Sequence, residues 1–468
     1  MALWTEVYNC VQPLRSACAR TRTFCWMLLA IAGMLARPDL AGVTSFVRAG
    51  WLAERCYHRL LALFHSSALR LDLLTACWVK LVLRLFSPVT VNGYRVCVGD
   101  GLKVPKEGKK MPAVKNLHNS SDDNSKPPFI MGHSFQAISL LVQGIEGVVC
   151  AVPLLSRITE GLVFCNADRR TLLDKFVSLF WEVCPLFDGP LMLLADAYYA
   201  SGKIIRPLEA GGHHLLTRVR SNAVGYLPAP KPKVRRRGRP KIYGKKLKLR
   251  SLFNHPKKFS EAPSPVYGEE QVVVRYRSVD LLWKPARKPV RFVLVIHPTR
   301  GRIILMCTDT DMKPLEIIRL YGLRFKIELG FKQAIHTLGA YAYHFWMMAM
   351  TSIKRRSGNQ YMHHRTKWYR DAVLRKMDAY HRYVQLGCIA QGLLQHLALN
   401  CTATVWQYFR SWLRTMKPHL PPSELVVAMA LRTSLPEYLC SADDSHILRK
   451  MILENAEPTR MPEWMMVA

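Results

Sequence analysis

Leu191-Met192-Leu193-Leu194-Ala195-Asp196 is the stretch on which the fold turns. Five consecutive apolar residues, set off upstream by the turn pair Gly189-Pro190, have the length of a strand buried on both faces and are too short for a helix. The carboxylate that follows stands where a strand end projects a side chain over the edge of a sheet. Working outward, residues 214–219 read as another strand and residues 201–209 as the helix between the two. Residues 168–184 form an amphipathic helix with Leu172, Leu173, Phe176, Leu179 and Phe180 on one side. Further upstream, Tyr94, Val96 and Val98 alternate in a strand expected to end at Gly99-Asp100, and residues 133–142 and 147–155 are strand-like. The order is three strands, helix, strand, helix, strand, which predicts an α/β domain with a mixed sheet.

The 468 residues exceed one ordinary core, so several domains are expected. Lys and Arg number 67 against 33 Asp and Glu, a formal net charge of +34 carried along most of the chain. Such a surface attracts polyanions, nucleic acid above all, because phosphate neutralisation supplies much of its binding free energy. The thirteen cysteines include no Cys-x-x-Cys pair and no His-Cys cluster at zinc spacing, and are read as reduced, mostly buried thiols of an intracellular protein. The apolar run at residues 24–35 is too short to span a bilayer. It has the length of a signal-peptide core, but a buried helix of an N-terminal bundle accounts for it as well.

Residues 1–87 read as helices, with ten basic and four acidic residues. That composition suits DNA binding or oligomerisation, and equally a solvated basic face. Residues 101–128 read as a long, lysine-bearing polar loop. Between Lys231 and Lys258 there are thirteen basic residues and no acidic ones, centred on Arg235-Arg236-Arg237-Gly238-Arg239-Pro240. Arg237 and Arg239 around a glycine can lie along an A·T-rich minor groove, although a basic linker has the same composition. Strands resume at residues 272–276, 290–296 and 302–307. A helix begins after Pro314, and further helices run to about Leu453. Residues 354–376 carry eight basic residues interleaved with Tyr361, Trp368 and Tyr369, which suits DNA contact or a solvated helix face.

The chemistry is carried by carboxylates in a chain that has few of them. Asp100 and Asp196 each follow an apolar strand, and Glu328 sits on a helix among basic residues; three such groups on separate elements can converge on hard divalent cations. Two Mg²⁺ ions so held would activate a hydroxyl and stabilise the leaving oxygen of a phosphodiester displacement. Tyr321, Arg324, Glu328 and Lys332 are spaced to share one helical face, where cations beside the carboxylate could hold a phosphate backbone, or simply pair with it. Asp309 and Asp311 are read as loop residues and His133 as a hydrogen-bonded core histidine.

Val98-Gly99-Asp100-Gly101, Leu194-Ala195-Asp196-Ala197-Tyr198-Tyr199 and Tyr321-Gly322-Leu323-Arg324-Phe325-Lys326-Ile327-Glu328-Leu329-Gly330-Phe331-Lys332 resemble the three motifs of bacterial insertion-sequence transposases of the Asp-Asp-Glu type. The third is similar to the subgroup with a Tyr-Arg-Glu-Lys signature. The resemblance covers roughly residues 90–345. It implies a ribonuclease-H-like mixed sheet with an inserted β-rich domain, flanked by N- and C-terminal helical regions. It also implies two Mg²⁺ ions, with Mn²⁺ as a substitute, on Asp100, Asp196 and Glu328, and DNA held by Tyr321 and Arg324. The signature lysine usually lies seven residues after the glutamate, where this chain has Ile335; Lys332, one turn earlier, is the substitute. An aromatic of the inserted domain can stack on a flipped-out base in relatives, and Trp283 is the candidate here.

The expected organisation is a helical DNA-binding or oligomerisation region (1–90), the first part of the catalytic core (91–219), an inserted basic β-rich domain (220–300), the end of the core with the glutamate helix (301–345) and a C-terminal helical region (346–468). The expected activity is cutting at transposon ends and joining to target DNA. The partners are double-stranded DNA and a second copy of the chain, with no membrane, in a bacterial cytoplasm at the nucleoid. The rival readings are a nuclease without strand transfer and an inactive or domesticated DNA-binding protein that keeps the fold.

Overall fold

A computed structural model describes residues 2–118, 127–230, 240–441 and 446–462. The chain forms two compact units: Met1–Pro88 with Gly101–Arg169 and Leu329–Ala468, and Val89–Asp100 with Arg170–Glu328.

In the second unit the buried run Leu191–Ala195 is a strand whose five residues are all inaccessible. It lies between two parallel neighbours, Tyr94–Pro105 and His214–Arg218, in register Gly99↔Ala195 and Ala195↔Thr217. Strands buried on both faces read as unbroken apolar runs, and Val96, Cys97, Val98, Leu215 and Leu216 are buried beside it. The helix Leu172–Val183 covers this layer through Phe176 and Phe180. Its start is fixed where the Asp174 carboxylate accepts from the Thr171 backbone N–H at 2.7 Å. Lys203, on the helix Gly202–Ala210, pairs with the same carboxylate at 2.6 Å and, as the leading cause, holds it down to about 2. The three parallel strands Tyr94–Pro105, Leu191–Ala195 and His214–Arg218, with helices between them along the chain, make a ribonuclease-H-like α/β core.

The sheet continues in antiparallel fashion from His214–Arg218 through Gly301–Cys307, Lys288–His297 and Val273–Trp283 to Val224–Pro228 and Tyr243–Lys248. The strands of the basic β-rich stretch are thus hydrogen-bonded into the core's own sheet. One of them, Val273–Trp283, is longer than the predicted residues 272–276: its polar Ser278 and Asp280 belong to the pairing Ser278↔Val293 and Asp280↔Arg291. Asp280 makes a two-pronged bond to Arg291 across the pair at 2.8 and 2.7 Å, a contact that favours sheet over loop.

The first unit is mainly helical. Thr21–Ala36 buries Phe24 and the whole run from Trp26 to Ala36, as expected of a bundle helix. Among the described residues no helix is long and apolar enough to cross a membrane. The hairpin Phe129–Gln143 and Val149–Ile158 packs beneath the 34-residue helix Lys367–Asn400. Gln385 and Gln395 of that helix donate to the Leu154 and Ala151 carbonyls, and Trp78 Nε1 donates to the Pro153 carbonyl. A Cβ at Gly392 would stand 2.3 Å from the Trp78 ring, so this crossing needs glycine. His133 is the core histidine expected, bonded to the Tyr343 hydroxyl and the Pro112 carbonyl, and burial pushes it down to about 3.

Two sequence expectations are corrected. The strand entered at Tyr94 runs on past Asp100 to Pro105, and residues 115–118 form a strand paired with 129–132, so the predicted loop is partly sheet. Val104 and Leu117 are buried, which is the apolar reward that the lysines around them concealed.

Candidate active site

Asp100 and Asp196 lie one residue beyond the register pair Gly99↔Ala195 of neighbouring parallel strands. Strand spacing alone brings their backbones to about 5 Å. The approach of the covering helix explains the residue before the first aspartate: a Cβ on Gly99 would lie 2.3 Å from the Phe176 ring. Asp196 leaves its strand in extended backbone (φ −74, ψ 169) and opens a 3₁₀ turn, Ala197–Tyr199. Its carbonyl accepts from the Thr217 hydroxyl at 2.9 Å, which pins the strand end to the next strand.

The third carboxylate arrives on a helix. Pro314–Leu323 is followed by a turn at Arg324-Phe325 and a second helix, Lys326–Gln333, so the single helix expected is broken. Backbone at Arg324 stays helical (φ −53, ψ −38), and the face survives the break: Arg324 reaches Glu328, four residues on, at 2.6 Å. The other guanidinium nitrogen is 3.2 Å from Asp100. Arg324 therefore joins the helix carboxylate to the strand carboxylate. Burial works against its charge, but Glu328, Tyr321 and Asp100 outweigh this and raise its pKa.

Tyr321 sits one turn before Arg324, half-buried, and burial raises its phenol while Arg324, Asp196 and Arg218 act on it electrostatically. Asp100, Asp196, Tyr321, Arg324 and Glu328 are thus gathered at one edge of the sheet. Arg218 joins them and was not foreseen from sequence. It ends the strand beside Asp196, so the strand-end rule that picked out Asp100 and Asp196 would also have found it. The helix carrying Tyr321 is held by the segment around Val266: a Cβ on Gly322 would meet Val266 at 2.8 Å. That segment is fastened in turn through Glu269, which accepts from Ser264 and pairs with His297 at 3.0 Å and Arg300 at 2.7 Å.

Other candidates lie elsewhere. Lys332 is exposed one turn beyond Glu328, and Ile335 falls in a π turn, Ala334–Leu338, closed by Gly339 in the left-handed region (φ 62). Trp283 is 6 % exposed, stands opposite Lys288 in the strand register and packs at a steep angle against the Phe292 ring, where its indole buries a large apolar area. Asp309 is buried beyond the opposite end of the parallel strands, bonded to Asn92 at 3.3 Å and to the Asp311 N–H at 2.8 Å. Arg237 and Arg239 lie outside the described residues.

The donor set is all oxygen and anionic, the type that hard divalent cations take. That a single guanidinium bonds both Asp100 and Glu328 shows that these carboxylates converge on one cation. As they stand the three do not close to within 4.8 Å of one another, since the guanidinium lies between two of them. The residues fit a divalent ion once Arg324 yields its place.

No curated protein sequence matches the chain. Among solved structures, a weak likeness is to the piggyBac transposase in a synaptic complex with hairpin DNA: 11 % identity, 94 % of this chain and 77 % of that one covered, and a TM-score of 0.36. The family model for DDE superfamily endonucleases matches residues 6–278, which contain Asp100 and Asp196 and end before Glu328. With more than half of its length matched, the chain belongs to the DDE superfamily endonuclease family.

Proposed function

We propose that the chain is a transposase: it cuts DNA at the ends of a mobile element and joins the freed 3′-hydroxyls to target DNA. The observation that carries this reading is the meeting of Asp100, Arg324 and Glu328 at the sheet edge where Asp196 also ends its strand. Asp100, Asp196 and Glu328 would hold two Mg²⁺ ions, for which Mn²⁺ could substitute. Ions bound there supply charge stabilisation for an in-line phosphodiester displacement and lower the pKa of the attacking hydroxyl.

The chain's own groups do the remainder. Asp100 and Asp196, fixed by the parallel strands, set the position of the scissile phosphate. Arg324, released from Glu328, is placed to grip a phosphate oxygen of the cut strand, a bidentate geometry that guanidinium favours. Tyr321 and Arg218 line the same edge and would hold the backbone beside the cut, with Lys332 further along the glutamate helix. The basic stretch with Arg237 and Arg239 would bind flanking duplex. Two ends must be brought together, so a homodimer on DNA is the proposed assembly. The Tyr-Arg-Glu-Lys subgroup and a bacterial insertion-sequence origin belong to the same reading.

The test uses full-length protein and a plasmid carrying the DNA that flanks its gene. Wild type should nick it with Mg²⁺, while Asp196→Asn should bind it in a gel shift but cut at least about a thousandfold more slowly. Cutting by Asp196→Asn at the wild-type rate refutes the site. Pre-cleaved ends with free 3′-hydroxyls separate the transposase from a plain nuclease, since only the former yields joined products.

A further inference from the structure

In the helical unit, the first helix, Ala2–Val11, crosses the C-terminal part of Lys367–Asn400. Glu6 and Cys10 are one turn apart on the first helix and so share a face. His396 faces them from the second: its Nε2 is 2.8 Å from Glu6 Oε1, and Cys10 Sγ is 3.5 Å from the same oxygen. One donor atom from each residue lies within 4.8 Å of the others, the one such trio among the described residues. Cys10 and His396 are 4 % and 6 % exposed. Cys401 caps the second helix and lies outside that trio.

We propose that Glu6, Cys10 and His396 form a zinc site that clamps the N-terminal helix to the long C-terminal helix, with water in the fourth position. The donor set selects the metal. Thiolate and imidazole favour zinc, whereas Mg²⁺ and Ca²⁺ take oxygen. Bonds of about 2.0–2.3 Å in a tetrahedron separate neighbouring ligand atoms by roughly 3.3–3.8 Å. The two distances of 2.8 and 3.5 Å need open by less than about 1 Å to reach that range.

The charge agrees: Glu6 and Cys10, both anionic when bound, would balance the dication. Asn400 Nδ2 is 3.1 Å from His396 Nδ1, which fixes the ring with Nε2 towards Glu6. Zinc on Nε2 leaves the ring proton on Nδ1, so on binding the Asn400 amide, which also donates to the His396 carbonyl at 3.0 Å, must turn away from Nδ1. The thiol proton of Cys10 passes to solvent on binding. A simple Glu–His hydrogen bond would account for Glu6 and His396 alone; the Cys10 thiol meets the same oxygen.

The experiment is metal analysis of the purified full-length chain, followed by chelation and titration with Zn²⁺ or Co²⁺. Wild type should retain stoichiometric zinc through gel filtration, melt lower after chelation and recover on Zn²⁺ addition. The Co²⁺ form should show a thiolate-to-cobalt charge-transfer band. Cys10→Ser with His396→Gln should lower bound zinc at least tenfold, and Asp100→Asn with Asp196→Asn should leave it unchanged. Wild-type protein with no more zinc than the Cys10→Ser, His396→Gln variant overturns the site. So does a wild-type Co²⁺ spectrum without the charge-transfer band, which decides the matter even if the variant fails to fold.

Discussion

Arg324→Ala separates two roles that this guanidinium combines, because it cuts both ion pairs at once. The pair with Glu328 has a carboxylate side chain 53 % exposed, so its loss costs at most about 1 kcal/mol. The pair with Asp100 is more sheltered, at 17 % and 21 % exposure, and falls between surface and buried cases at about 1–2 kcal/mol. Together the metal-free variant should lose about 1–3 kcal/mol, or roughly 2–12 °C in melting temperature at about 2–4 °C per kcal/mol. Adding Mg²⁺ should then stabilise the variant more than the wild type, since no guanidinium has to be moved from between Asp100 and Glu328. DNA cutting should nevertheless fall, because the phosphate loses its grip. Differential scanning fluorimetry with and without Mg²⁺, beside a nicking assay, reads all three. An Arg324→Ala protein that melts like wild type and gains no more from Mg²⁺ would refute the idea that Arg324 holds the place of a cation.

Gly99→Ala should destabilise the protein by about 1–3 kcal/mol, because the added Cβ would lie 2.3 Å from the Phe176 ring; chemical denaturation measures this, and an unchanged midpoint would mean the helix is not seated as described. Acid should weaken the helical unit through His133. The folded histidine takes up a proton only near pH 3 while the unfolded one does so near 6.5, so stability is lost as pH falls through that window, by at most about 1.4 kcal/mol per pH unit. His133→Gln should flatten this slope in urea titrations between pH 6.5 and 4, and an unchanged slope would remove His133 as its source.

How much of this was legible in sequence depended on range. Leu191–Ala195 declared itself because five apolar residues between Gly-Pro and Asp admit little else, and the flanking helices followed from their period. The extension of the first strand through Asp100 to Pro105 was hidden by Gly-Asp-Gly and lysines, which read as loop unless the partner strand is known. The break at Arg324-Phe325 carries no Gly or Pro signal of its own. Trp283 illustrates a choice that sequence leaves open: a strand-end indole can face solvent or core, and only the folded chain shows it buried against Phe292. Arg218 and the Glu6–His396 contact, 390 positions apart, depend on register and helix crossing.

The arrangement of Arg324 also resolves a difficulty in building such a site at all. The carboxylates of Asp100 and Glu328, which one guanidinium now bridges, would repel one another without it. A tethered cation removes that penalty before any ion or DNA is present. The bond to Glu328, exposed and worth at most about 1 kcal/mol, is the weaker of its two. A ligand of millimolar affinity brings about 4 kcal/mol, so Glu328 can be drawn away from Arg324 while the more sheltered pair with Asp100 persists longer. On the proposed function, Glu328 would therefore open the site first, and the guanidinium it frees would already lie beside the place proposed for the phosphate.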